Sequence, residues 1–182
     1  MSKAIGMVEY VTVSTGILAA DIMVKTSDVD IIEAQTVCPG KYIVIISGEL
    51  SAVRAAVDAS KTKFEEKLID SFVLGNPHDS IFSAIYGTTD IEKVEALGVF
   101  ETYNAASIIV AADVAAKTAL VDLIELRIAK GMCGKSYMLL TGSVASVTAA
   151  IEKTKAQIED KGFFLDSSVI ARPDEKLWKT LL

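Results

Sequence analysis

Apolar residues along this chain recur with two periods, and the same succession of periods is written twice. Ile5 to Val11 and Leu97 to Tyr103 are short runs rich in β-branched and aromatic residues, the mark of strands. Ile17 to Lys25 and Ser107 to Lys117 are alanine-rich with apolar residues at helical spacing, so both predict helices. Asp30 to Thr36 and Asp122 to Ala129 read as strands. A Gly-Lys turn follows each. Then comes a strong strand, Tyr42 to Ser47 or Ser136 to Thr141, broken by Gly48 or Gly142. A second helix runs from about Ser51 to Lys67, with Val53, Val57, Phe64 and Leu68 on one face. Its partner runs from about Val144 to Lys161, and a short strand ends each half.

The two halves match residue by residue. Gly6 pairs with Gly98, Glu9 with Glu101, Asp21 with Asp113, Lys25 with Lys117 and Asp30 with Asp122, each 92 positions apart. Gly40 pairs with Gly134 and Gly48 with Gly142, 94 apart, so the second half has gained two residues between these blocks. Pro77 stands opposite Pro173. A fixed internal period identifies a duplicated structural unit. The order β-α-β-β-α-β predicts an α/β (α+β) fold, two tandem ferredoxin-like modules, each a sheet covered by helices on one side. The stretch from about Ile81 to Glu95 has no counterpart and contains GTTD, so it reads as a linker. The expected boundaries are 1–80, 81–94 and 95–182.

Composition narrows the class. Apolar residues make up 51% of the 182 residues and the mean hydropathy is +0.42. The longest apolar stretches, Tyr42 to Ile46 and Ala105 to Ala112, fall far short of the roughly 18 residues a membrane span needs. MSKAIGMVEY shows no basic region followed by an apolar one, so a secretory signal is not expected. A cytoplasmic protein that buries apolar surface in an oligomer fits better. A net charge of −6 argues against a nucleic-acid surface. With two cysteines, Cys38 and Cys133, and that address, a structural disulfide is not expected.

Most candidate motifs reduce to structure. The GKS at 134–136 lacks the glycine a phosphate loop needs at position 129, and a strand rather than a helix follows it. His78 has no partner at metal-ligand spacing and reads as a surface or interface residue. Glu65 and Glu66 read as solvated charges. No nucleophile–base pairing emerges with any specificity. Asp21 and Asp113, like Lys25 and Lys117, hold equivalent positions, which points to a shared structural task.

Cys38 differs. It sits in VCPGKY at the tip between two strands. Pro39 pushes it towards an extended conformation and Gly40 frees the turn. A thiol beside a lysine in such a turn is accessible, and its thiolate is favoured. Ferredoxins also follow a ligand cysteine with proline, although Cys-Pro alone is a weak signal. One chain cannot supply four thiolates; a symmetric oligomer bringing this tip to its axis could supply several.

The whole pattern resembles the bacterial microcompartment shell domain. It is carried by G-x-V-E, a helix with D-x-x-V-K, a Gly-Lys turn, a strand, G-x-x-x-x-V and a closing x-P-x strand. Two such domains in unpermuted order resemble the tandem-domain shell proteins. CPGK is similar to the iron–sulfur subtype of propanediol-utilisation compartments. The resemblance implies a homotrimer that imitates a hexagon and packs edge to edge with other shell proteins, with redox enzymes inside as further partners. It implies a central pore lined by Pro39, Gly40, Met132, Cys133 and Gly134. Three copies of Cys38 would ligate one [4Fe–4S] cluster there and pass electrons across the shell. Lys25, Lys117 and Arg172 would lie at tile edges. Asn76, opposite Arg172, departs from the pattern. Cys133 falls where shell domains often place a pore serine; its readings are aid to the cluster, another metal, or a small residue in a narrow turn. Two other readings stay open: a plain tile with a metabolite pore and no cluster, and a small-ligand sensor trimer.

Overall fold

The computed structural model describes residues 4–91 and 95–181. The chain divides into two compact units, Met1–Pro77 with Lys130–Gly134, and His78–Ala129 with Lys135–Leu182.

The first unit runs β1 (Ala4–Tyr10), α1 (Val13–Thr26), β2 (Val29–Val37), β3 (Lys41–Gly48), α2 (Leu50–Lys63) and β4 (Leu68–Leu74). A single 3₁₀ turn, Glu65–Lys67, ends the second helix where a longer α-helix was expected. The four strands form one antiparallel sheet in the order β2-β3-β1-β4. In the second unit α3 (Ser80–Tyr86) comes first. The same succession follows: β5 (Ala96–Thr102), α4 (Ala105–Thr118), β6 (Val121–Arg127), β7 (Ser136–Gly142), α5 (Val144–Glu159) and β8 (Phe164–Ala171). A last helix, α6 (Glu175–Leu181), ends the chain, and the sheet order is β6-β7-β5-β8. The duplication holds even in irregularities. β2 shifts register between Ile31 and Glu33, and β6 between Leu123 and Glu125. Each bulge leaves one extra residue and bends its strand.

Local chemistry explains these boundaries. Thr12, Asn104 and Ser143 cap α1, α4 and α5 by accepting the backbone N–H of the residue three further on. Helix and sheet meet closely where glycine removes the side chain. A Cβ on Gly6 would lie 2.6 Å from Val53 and 2.9 Å from Val57, and one on Gly98 would lie 2.8 Å from Val147. The first core is built from Ala4, Val8 and Tyr10 of β1 with Ala19, Met23, Val53 and Val57 of the helices. Tyr10 donates to or accepts from Ser60 at 2.6 Å, which satisfies its buried hydroxyl.

Two sequence expectations need correcting. The sheets are not simply covered on one side: every residue of β1 is buried, so Ile5 and Met7 are as enclosed as Ala4 and Val8. In the second unit α6 places Trp178 and Leu181 against Leu97 and Leu139 on the face away from α4 and α5. The stretch expected to be a plain linker contains α3, with Ile81 and Ala84 entirely buried. Residues 92–94 lie outside the described residues.

Candidate functional site at the paired turns

The chain's two cysteines stand in two turns, and both turns belong to the first unit. The first, Cys38-Pro39-Gly40, joins β2 to β3. Its Cys38–Pro39 bond is cis, Gly40 has a φ of +96°, and the Gly40 N–H donates to the Val37 carbonyl at 3.0 Å. A tight reversal of this kind needs the left-handed backbone that glycine adopts freely. Cys38 is half-buried, while Pro39 and Gly40 are exposed. Nothing lies within 4 Å of where a Gly40 Cβ would be, so the tip faces open space.

The second turn, Lys130–Gly134, comes from the β6–β7 hairpin. Cys133 is exposed with a φ of +54°, and Met132 is half-buried. Lys130 Nζ reaches Glu33 Oε1 at 2.7 Å, and Gln35 Nε2 donates to the other oxygen of Glu33 at 2.9 Å. A Cβ on Gly134 would meet Lys41 Nζ at 3.2 Å. The two turns are therefore neighbours, fixed by polar contacts on the first module.

Lys41 does not serve Cys38. Its ammonium pairs with Glu9, a residue only 3% exposed. A carboxylate that enclosed demands a partner, so the expected pairing of lysine with thiolate gives way to a structural ion pair. The phosphate-loop alternative fails on geometry. Lys135-Ser136 runs straight into β7, and Ser136 Oγ accepts the Ala129 N–H at 3.0 Å.

The remaining sequence candidates lie apart from the turns. Lys25 pairs with Asp21 and Lys117 with Asp113, each at 2.7 Å. Arg172 is exposed on a left-handed turn with a φ of +52°, matched by Asn76 at +53°. His78 holds Ser80 Oγ at 2.8 Å through Nδ1, and its backbone N–H donates to Asp113 Oδ1 at 2.8 Å. Among the described residues no group of three or more His, Cys, Asp or Glu is placed to hold a metal ion. Sequence reading missed one cluster. Glu125 accepts from Arg127 at 2.6 Å and from the Tyr137 hydroxyl at 3.0 Å. Burial, then the bond to Glu125, raises the Tyr137 phenol above its ordinary range. The matching first-module residues are Glu33, Gln35 and Ile43, so nothing in the repeat pattern marked it.

The duplicated module with its paired Gly-Lys turns agrees with a family match. The BMC-domain model matches residues 4–77 and again 96–173. The chain belongs to this family, the shell proteins of bacterial microcompartments. It is a tandem-domain member and a structural shell protein. It is 36% identical over its full length, and over 99% of the relative, to the bacterial microcompartment shell protein PduT of Citrobacter freundii. It is 27% identical to the carboxysome assembly protein CcmO of Synechococcus elongatus over 89% of this chain and 62% of that one. A crystal structure of a microcompartments protein from Desulfitobacterium hafniense superposes with a TM-score of 0.94 at 44% identity, covering 98% of this chain and 99% of that one. A fused permuted hexameric shell protein, MSM0275, shares the fold at a TM-score of 0.62 and 20% identity, covering 87% and 84%. No helix among the described residues is long and apolar enough to cross a membrane.

Proposed function

We propose that this shell protein assembles as a homotrimeric, pseudohexagonal tile, with one [4Fe–4S] cluster held at its central pore by Cys38 from three copies. The observation that carries the reading is the Cys38 turn. A half-buried thiol stands at a hairpin tip beside open space, and the duplicate module has no cysteine at the matching position, which is Met132. Iron–sulfur clusters take thiolate ligands, and one Cys38 per chain makes three in a trimer. Pro39, Gly40, Met132, Cys133 and Gly134 then border the pore. The cluster, when bound, supplies one-electron transfer. The residues of this chain hold the thiols in place: the Gly40–Val37 bond closes one turn and the Lys130–Glu33 pair anchors the other. The tile lies in a shell in the bacterial cytoplasm and does no catalysis of its own. Lys25, Lys117 and Arg172 meet other shell proteins at its edges, and encapsulated redox enzymes exchange electrons with it. The similarity to the shell protein PduT supports the place in a microcompartment shell.

Anaerobic reconstitution followed by EPR tests the cluster. Wild type is expected to take up iron and sulfide and give a cluster signal on reduction, and Cys38→Ala is expected to lose both. Equal incorporation by the two proteins contradicts the assignment. A second reading, a tile with a metabolite pore and no cluster, is favoured by the engagement of Lys41 with Glu9, which leaves that cation unavailable to Cys38. Protein purified without oxygen is brown under the first reading and colourless under the second.

A further inference from the structure

Divergence of the two modules has left each hairpin turn with one thiol, at successive positions. Cys38 matches Met132, and Cys133 matches Pro39. Both thiols are free; Cys133 is exposed and Cys38 half-buried.

The two turns are held side by side. Lys130–Gly134 groups with the first module rather than with the strands that carry it. At one end of this turn, Lys130 Nζ is tied at 2.7 Å to Glu33 of β2, the strand that runs into Cys38. At the other end, next to Cys133, a Cβ on Gly134 would lie 3.2 Å from Nζ of Lys41, three residues after Cys38. The second turn is therefore fastened to both strands that the Cys38 turn connects.

A disulfide needs its two Cα atoms within about 7 Å, so the tips must have freedom to meet. Gly131 and Gly134 bracket Met132 and Cys133 with φ of +69° and +92°, and Gly40 follows Pro39 with φ of +96°. No atom lies within 4 Å of a Cβ placed on Gly131 or on Gly40. Glycine backbone changes conformation at low steric cost, and both tips have open space to do so.

We infer that Cys38 and Cys133 of one chain form a reversible disulfide, a redox switch at the paired turns. The oxidant is a small-molecule disulfide such as oxidised glutathione. The thiolate of exposed Cys133 attacks one of its sulfurs, breaks its S–S bond and releases one thiol, which leaves Cys133 in a mixed disulfide. The Cys38 thiolate then attacks the Cys133 sulfur and expels the second thiol. The two protein thiols give up two electrons and two protons, which leave on the two released thiols. Redox-sensing cysteines are accessible and stand beside a resolving thiol. Such disulfides, unlike structural ones, form transiently in reducing compartments. In the reduced chain the Lys130–Glu33 pair keeps the turns as neighbours; in the oxidised chain a covalent bond joins them and occupies the Cys38 sulfur. The inference stands on the two turns and does not require the cluster.

Excess oxidised glutathione, added to the full chain freed of metal by a chelator, tests it. Trypsin cuts after Lys25, Lys41, Lys130 and Lys135, so the two cysteines fall on separate peptides, 26–41 and 131–135. Wild type is expected to lose both free thiols, to carry no glutathione, and to yield these two peptides joined until dithiothreitol is added. Cys38→Ser is expected to keep one glutathione on Cys133, because nothing resolves the mixed disulfide. Wild type that keeps both thiols free, carries glutathione on each cysteine, or is linked only between chains in gels without reductant overturns the switch. These wild-type readouts hold whether or not the variant folds. Linked peptides from a protein that takes up no iron on reconstitution leave the switch standing and remove the cluster.

Discussion

At the scale of single residues, the two modules put the same residue types to different use. Glu9 and Lys41 form a buried pair on the first sheet. Their counterparts differ: Glu101 is half-buried beside the cavity, and Lys135 is exposed. Removing one partner of a buried ion pair leaves a charge without compensation. Lys41→Ala is therefore expected to lower stability by about 3 kcal/mol, near the small end of the range for buried pairs because the lysine is partly exposed. Urea unfolding checks this, and Lys41→Met combined with Glu9→Gln is expected to recover part of the loss. The pair was not legible beforehand. Glu9 lies opposite Ile43, two positions beyond Lys41, and that register is known only once β1 and β3 pair. The Cys38 turn was legible because proline and glycine act locally on their own backbone.

At the scale of elements, alternation and helical spacing placed the eight strands and the four long helices found among the described residues. The glycines supply the packing detail. Gly6→Ala pushes a methyl into Val53 and Val57, both enclosed in the core. Overpacking of this kind is expected to cost about 2 kcal/mol, measured as a lowered denaturant midpoint with unchanged slope. Gly98→Ala should behave alike against Val147. The two short helices escaped sequence reading for a physical reason. α3 and α6 span seven residues each, too short to establish a helical period, and lone helices of that length are marginal in water. Tertiary contacts form them: Ile81 and Ala84 are buried in α3, and Trp178 and Leu181 of α6 pack on the sheet. The equivalence of Asn76-Pro77-His78 with Arg172-Pro173-Asp174 was visible in outline, yet the helix that each introduces was not.

At the scale of the whole molecule, duplication followed by divergence explains both the shared architecture and the special turn. A single repeated module would give every hairpin the same tip. Here one tip carries Cys38 before Pro39 and the other Met132 before Cys133, so the ring proposed above would alternate two kinds of turn. The high apolar share goes with a set of large hydrophobic side chains left exposed on the single chain, Ile17, Leu18, Ile31 and Leu177 among them, which the proposed assembly would cover. The most direct test is native mass spectrometry of protein purified without oxygen. Wild type is expected at the mass of three chains plus one set of four irons and four sulfides, and Cys38→Ser at the mass of three chains alone. A cluster retained by the Cys38→Ser trimer, or a wild-type trimer reconstituted under the same conditions with no bound iron, contradicts the account.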